Sequence, residues 1–120
     1  MGWMKGYVTA DTTADLLAGL AHSACEAGVD YYYSMMTPAA NGQLVVTISS
    51  GLAGGHELDI VGYRSDFKGV VIRNSWGPWG QCYTSQETSN TPNDGTGCGY
   101  AWIAVSDLPK LNFDSDCPTF

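Results

Sequence analysis

The segment GGHELDIVGYRSDFKGVVIRN, residues 54–74, constrains the fold more than any other. Residues 57–63 and 69–73 are rich in β-branched, aromatic and aliphatic side chains, and the turn SDFKG at 65–69 separates them. Two such runs with a short Gly-containing connection predict an antiparallel hairpin. Alternation along the first run puts His56, Leu58 and Ile60 on one face and Glu57, Asp59 and Val61 on the other. His56 leads into the hairpin and Asn74 ends it, so the pairing that forms the hairpin also draws these two side chains together.

Around this hairpin the remaining elements are sparser. Thr12 with Asp15 three residues later predicts a helix start. Leu16, Leu17, Leu20, Ala21 and Ala24 continue at helical spacing, and Gly28 supplies the stop. Strands are expected over 29–36 and 43–48, with the turn PAANG between them, and again over 100–105. Residues 49–55 read as a flexible loop, 81–99 as a long polar insertion loop and 106–120 as an irregular tail. The expected architecture is α+β: one N-terminal helix packed on a mostly antiparallel, barrel-like sheet. A chain of 120 residues holds a single domain, residues 1–120.

Charge removes whole classes of function. Five Lys and Arg against 12 Asp and Glu give a net charge of −7, with no basic run. Such a chain has no electrostatic footprint for a phosphate backbone and no patch for an anionic membrane surface. No apolar run approaches the length of a membrane span, and the N-terminus has no signal-peptide core. Secretion would then need a leader absent from these residues, or another route. A metal site is not expected, because His22 and His56 lie on unrelated elements and neither Cys82 nor Cys98 has a second Cys or His at ligand spacing. No cofactor motif is present.

The chemistry legible here is that of a histidine base. An imidazole acts near neutral pH only when one ring nitrogen is held, and an amide oxygen accepting its N–H does that. An adjacent indole keeps water off the bond and strengthens it. His56, Asn74 and Trp76 supply the three parts, and Gly54 and Gly55 leave backbone room for an extended substrate.

The ordered set GGH-x5-GY, VIRNSWG, WG and GYAWI resembles the C-terminal half of papain-like cysteine peptidases. The likeness runs over about residues 14–108 and is sharp over 54–103. It implies a papain-like half-domain in which His56 is the catalytic base and Asn74 orients it. Trp76 shields the pair, and Trp79 lines the leaving-group side of the cleft. It also places Glu57, with Gly54 and Gly55, beside the pocket for the residue two before the scissile bond, where an acid would favour a basic side chain.

Several features depart from that pattern. NSWGPWG is one residue short between its tryptophans, and the 81–99 loop is long. No segment resembling QGxCGSCW, the source of the nucleophile and the oxyanion-hole glutamine, occurs in these residues. Cys25 does not replace it. Placed near a helix C-terminus and beside Glu26, its thiol would be held protonated, so a packed or disulfide-bonded role is expected. His22, one helical turn earlier, could touch it without making a catalytic pair. Four cysteines allow three connectivities, and Cys82 and Cys98 are placed to bridge across the polar loop. Bridges would fit an extracellular or surface location.

Two functional expectations follow. Either the chain is the His/Asn half of a peptidase acting on peptides, with the nucleophilic cysteine on a second chain, or it is a catalytically inactive structural or binding module. The second would self-associate through the former domain interface, as a surface or virion component.

Overall fold

The computed structural model describes residues 6–76, 79–81 and 98–119. Its centre is a six-stranded antiparallel sheet in the order β1-β6-β2-β3-β4-β5. The strands are β1 (Gly6–Thr9), β2 (Cys25–Tyr32), β3 (Leu52–Arg64), β4 (Gly69–Arg73), β5 (Tyr100–Ala104) and β6 (Asp114–Thr119). One α-helix, α1 (Thr13–Leu20), and three short 3-10 segments complete the described residues. The architecture is α+β. The sheet is open, with β1 and β5 as its two edges and no ladder joining them among the described residues, so a closed barrel is not formed.

The β3–β4 hairpin forms as its alternation requires. Asp59 pairs with Arg73 and Ile60 with Ile72; the ladder then slips by one residue, so that Gly62 faces Val71. The slip is a bulge with Val61 as the extra residue. Leu58 and Ile60 before it are buried, whereas Glu57, Asp59 and Val61 are exposed, as is Tyr63 beyond it. Residues 65–68 make the turn, Lys68 taking a left-handed φ of 49°. Arg64 grips Asp66 across this turn at 2.7 Å.

The start of α1 is as expected, with the Thr12 hydroxyl accepting the Asp15 backbone N–H at 3.1 Å. Its end is not. The helix stops at Leu20 instead of running through Ala24 to Gly28. The reason is a second periodicity in the same stretch: Cys25, Ala27, Val29 and Tyr31 are buried while the residues between them are not. The strand that carries them, β2, pairs with β3 on one side and β6 on the other. Two ladders of hydrogen bonds and a buried face outweigh a few further turns of weak helix.

Other expectations are revised in the same way. The strand expected over 29–36 begins at Cys25 and gives way after Tyr32 to a 3-10 turn, Tyr33–Met35. Residues 43–48 form no strand; Leu44 and Val46 enter the core as irregular backbone, with one isolated bridge from Gln43 to Trp102. The loop expected over 49–55 is instead the end of the 3-10 turn Ile48–Ser50, then Gly51, then the start of β3 at Leu52. The tail holds a 3-10 segment, Val105–Leu111, and strand β6, whose Ser115 and Cys117 are buried.

The core lies on one face of the sheet. Leu16 of α1, Leu108 and Leu111 of the last 3-10 segment, and Met35, Leu44 and Phe113 cover the inward side chains of β2 to β5. Complete burial of one such leucine contributes about 2 kcal/mol. Cys25 and Cys117 are joined in a disulfide, so the bonded reading of Cys25 holds although its place on a helix does not. His22 sits in the turn after α1, its N–H donating to Gly19 O, and the thiol it was expected to approach is in the bridge.

Candidate active site

The end of the sheet where β3 begins and β4 finishes carries the site. Val29 of β2 pairs with His56 of β3, and Tyr31 pairs with Gly54. Gly54 has a φ of 146° and open space where a side chain would begin, as has Gly55. The backbone beside His56 is therefore bare on its outer side.

Asn74 follows β4 directly. Its backbone N–H donates to the carbonyl of Gly99 at 2.8 Å, and Gly99 N–H donates in turn to Trp79 O at 2.7 Å. Gly99 takes a φ of 94°, and a side chain there would strike the Asn74 carbonyl. These contacts fix the residue, whose side chain lies 3% exposed. His56 Nε2 and Asn74 Oδ1 are 2.5 Å apart. Because the amide oxygen can only accept, the bond requires a hydrogen on Nε2 and leaves Nδ1 as the basic nitrogen.

Aromatic rings enclose this bond. The Trp76 ring lies 5.1 Å from the His56 ring, and Trp79 meets Trp76 edge-on at 5.2 Å. Trp79 is anchored by its indole N–H, which donates to Met36 O at 2.8 Å. Thus the structure brings together His56, Asn74, Trp76 and Trp79, and Trp79 stands beside Trp76 although the turn between them is one residue short. Trp76 remains 38% exposed.

Tyr31 is the member of the site that the sequence did not disclose. Its ring packs edge-on against both His56, at 5.0 Å, and Trp76, at 5.4 Å. Its hydroxyl accepts Asn74 Nδ2–H at 3.3 Å and donates to Met35 O at 2.7 Å. Burial pushes the phenol well above its ordinary pKa, with the Asn74 hydrogen bond pulling weakly the other way. The alternation Cys25, Ala27, Val29, Tyr31 was the available signal, obscured by reading residues up to Gly28 as helix.

A histidine hydrogen-bonded to an asparagine under a tryptophan, at a sheet end with bare glycine backbone, is an arrangement suited to moving a proton. No family model matches the sequence, and no curated protein does. Solved structures do. Xylellain, a cysteine protease from Xylella fastidiosa, superposes with a TM-score of 0.66 at 23% identity, covering 98% of this chain and 41% of that one. The bromelain protease of Ananas comosus, solved with the E64 inhibitor, gives 0.58 at 18% identity, covering 98% of this chain and 51% of that one. The fold is that of a papain-like cysteine protease. The chain spans about half the length of these proteins.

Within this papain-like half-domain, Glu57 is exposed on the sheet face opposite the core. It borders two depressions. One, of about 390 Å³, is lined by His56, Gly55, Asp30 and Asp114. The other, of about 580 Å³, is lined by Glu26, Asp59, Arg73, Asn74 and Ser75. Acids occupy directly opposed positions on this face: Asp116 faces Glu26, Glu26 faces Asp59, and only then does Asp59 face Arg73. Like charges opposed across strands are destabilising, so the pattern is not explained by the stability of the sheet.

No free cysteine is present among the described residues. Cys98 is disulfide-bonded; Cys82, its expected partner, lies outside the described residues, as does most of the 81–99 loop. No cluster of His, Cys, Asp and Glu able to hold a metal ion occurs among the described residues.

Proposed function

We propose that this chain is the His/Asn-bearing, C-terminal half-domain of a papain-like cysteine peptidase, active in peptide-bond hydrolysis when a second chain supplies the nucleophilic cysteine. The observation that carries the reading is the bond between His56 Nε2 and Asn74 Oδ1, which leaves Nδ1 free as a base. A thiol of the partner, brought against Nδ1, gives up its proton and attacks the substrate carbonyl. The resulting imidazolium protonates the leaving amine, an acyl-enzyme forms, and His56 then activates water for its hydrolysis. Trp76 and Trp79 keep bulk water from the His–Asn bond, and Trp79 lies toward the leaving group. Gly54 and Gly55 admit the substrate backbone, and Glu57 favours a basic side chain two residues before the scissile bond. A Cys82–Cys98 bridge and an extracellular or surface location complete the reading. The Cys25–Cys117 disulfide fits an oxidising compartment, and no helix among the described residues is long and apolar enough to cross a membrane.

A second reading is favoured by one observation, the engagement of every described cysteine in a disulfide. In it the chain is an inactive, self-associating structural or binding module, and the His–Asn bond only holds the hairpin end. Isolation of the protein from its source under non-reducing conditions separates the two. A stoichiometric second polypeptide that reacts with a thiol-directed peptidase probe supports the peptidase. A monomer or homo-oligomer with no such polypeptide overturns it.

A further inference from the structure

The hydrogen bonds behind Asn74 run in one direction, and that direction is set by an atom outside the His–Asn pair. Met35 O is a backbone carbonyl and can only accept. It sits in the 3-10 turn Tyr33–Met35, held there as Met36 N–H donates to Tyr33 O at 3.2 Å. The Tyr31 hydroxyl therefore directs its one hydrogen to Met35 O, at 2.7 Å. Toward Asn74 the phenol oxygen then has only lone pairs to offer.

Asn74 must meet those lone pairs with its NH2, which it does at 3.3 Å. A reversed carboxamide would set Oδ1 against the phenol oxygen, acceptor against acceptor, and would turn Nδ2 toward His56. The residue is too deeply buried for water to repair that mismatch. The amide is thereby locked with Oδ1 toward the imidazole, and the imidazole in turn with its hydrogen on Nε2.

We propose that Tyr31 is a positioning residue: anchored on Met35 O, it fixes the orientation of the Asn74 amide and through it the Nε2–H tautomer of His56. It touches neither substrate nor thiol. Its effect is to hold the hydrogen of the neutral imidazole on Nε2 and leave the Nδ1 lone pair open to a thiol, a tautomer that an asparagine alone, free to turn over, would not enforce. The inference deepens the peptidase reading and rests on it for its purpose, although the tautomer itself is a property of this chain alone.

The test uses the full chain, labelled with ¹⁵N, in the wild type, Tyr31→Phe and Tyr32→Phe. Long-range ¹H–¹⁵N spectra of the neutral His56 imidazole report which nitrogen bears the hydrogen. Tyr32→Phe is the control, since it removes a neighbouring hydroxyl that reaches Lys110 O and not Asn74. The expected result is an Nε2–H imidazole in the wild type and in Tyr32→Phe. In Tyr31→Phe the ratio of Nε2–H to Nδ1–H falls about fivefold, the value of one ordinary hydrogen bond, while the backbone amide spectrum stays native. An unchanged ratio in Tyr31→Phe, or an Nδ1–H imidazole in the wild type, overturns the proposal. If Tyr31→Phe does not fold, a wild-type cross-peak between the Asn74 carboxamide protons and the Tyr31 ring decides it: presence supports the relay, absence overturns it. None of these readouts needs a partner chain, so absence of peptidase activity leaves them intact, and their failure leaves the search for the partner's thiol untouched.

Discussion

Cys25 and Cys117 stand directly opposite each other where β2 meets β6, their Cα atoms 4.4 Å apart, and their disulfide spans 92 residues of sequence. α1 lies on this bridge. A side chain at Gly19 would strike Cys117 Sγ, so the helix reaches the sheet only because that position has none.

Closing a loop of this length removes unfolded-state entropy equivalent to about 4.5 kcal/mol. For a domain of this size that is a large fraction of the total stability. Denaturant unfolding of Cys117→Ser, or of the wild type under reducing conditions, is expected to show a loss of about 2–5 kcal/mol. A midpoint unmoved by reduction would show that the bridge adds nothing to the sheet's own pairing. Gly19→Ala should also destabilise, despite the better helix propensity of alanine, because the methyl displaces the bridge.

On the peptidase reading, the half-buried His56 serves as the base and adds little to the core. With the partner chain and a peptide substrate present, His56→Ala is expected to lower kcat/KM by about 10²–10⁴-fold. Its thermal midpoint should stay close to that of the wild type, since the side chain lies at the open end of the hairpin. A variant that keeps full activity would exclude His56 as the base.

Asp114 carries a charge problem. It shares a hydrogen bond with Asp11, and the negative charges of Asp11 and then Asp116 add to it, so its carboxyl is held above the usual carboxylate range. A raised folded-state pKa favours the protonated form: the associated stability is present below the unfolded value and lost as pH rises through the folded one. Asp114→Asn should therefore raise the melting temperature at pH 7, with the gain shrinking toward acid. A gain that grows toward acid would contradict the sign.

Tyr31 gives the opposite end of the pH range. Its phenol is pushed above the ordinary value of 10.0 by burial. The stabilisation it provides is complete below pH 10 and is lost as the unfolded chain begins to ionise at more alkaline pH. Urea midpoints of the wild type are expected to fall above pH 10, and those of Tyr31→Phe to fall less steeply. Parallel curves for the two would mean that Tyr31 is not the group responsible.

How far the sequence discloses this molecule depends on where one periodicity dominates. The hairpin was legible because alternation, a turn and a bounded length all agree between His56 and Asn74, and the bond between them follows from its pairing. The end of α1 was not, because Leu20, Ala21 and Ala24 continue a helical spacing that overlaps the period-two pattern starting at Cys25. Long-range pairing decides such overlaps, and it involves β6, a strand whose DSDCPT sequence carries almost no strand signal of its own. Tyr31 was hidden for the same reason. A residue is seen as part of a site only once its strand is known to lie beside His56, and that neighbour is 25 positions away in sequence (Tyr31 to His56).

Glu57 offers the sharpest test of what the half-domain would act on. It follows His56 in β3 with its side chain on the opposite, open face, and the depression that both residues border is lined by Asp30 and Asp114 as well. A lysine or arginine side chain entering there meets several carboxylates in place of water, a charge-assisted contact that a neutral side chain cannot make. An apolar side chain would gain no such contact and would have to displace water from the acids. Peptide libraries read with the assembled enzyme should show a basic residue preferred two positions before the scissile bond by about two- to fivefold, the scale of an exposed ion pair. Glu57→Gln should reduce that preference and leave cleavage of uncharged substrates close to its starting rate. Glu57→Lys should reverse it toward acidic residues. An apolar preference in the wild type, or a profile that ignores both substitutions, would show that the acids beside His56 serve the docking of another surface and not the choice of substrate.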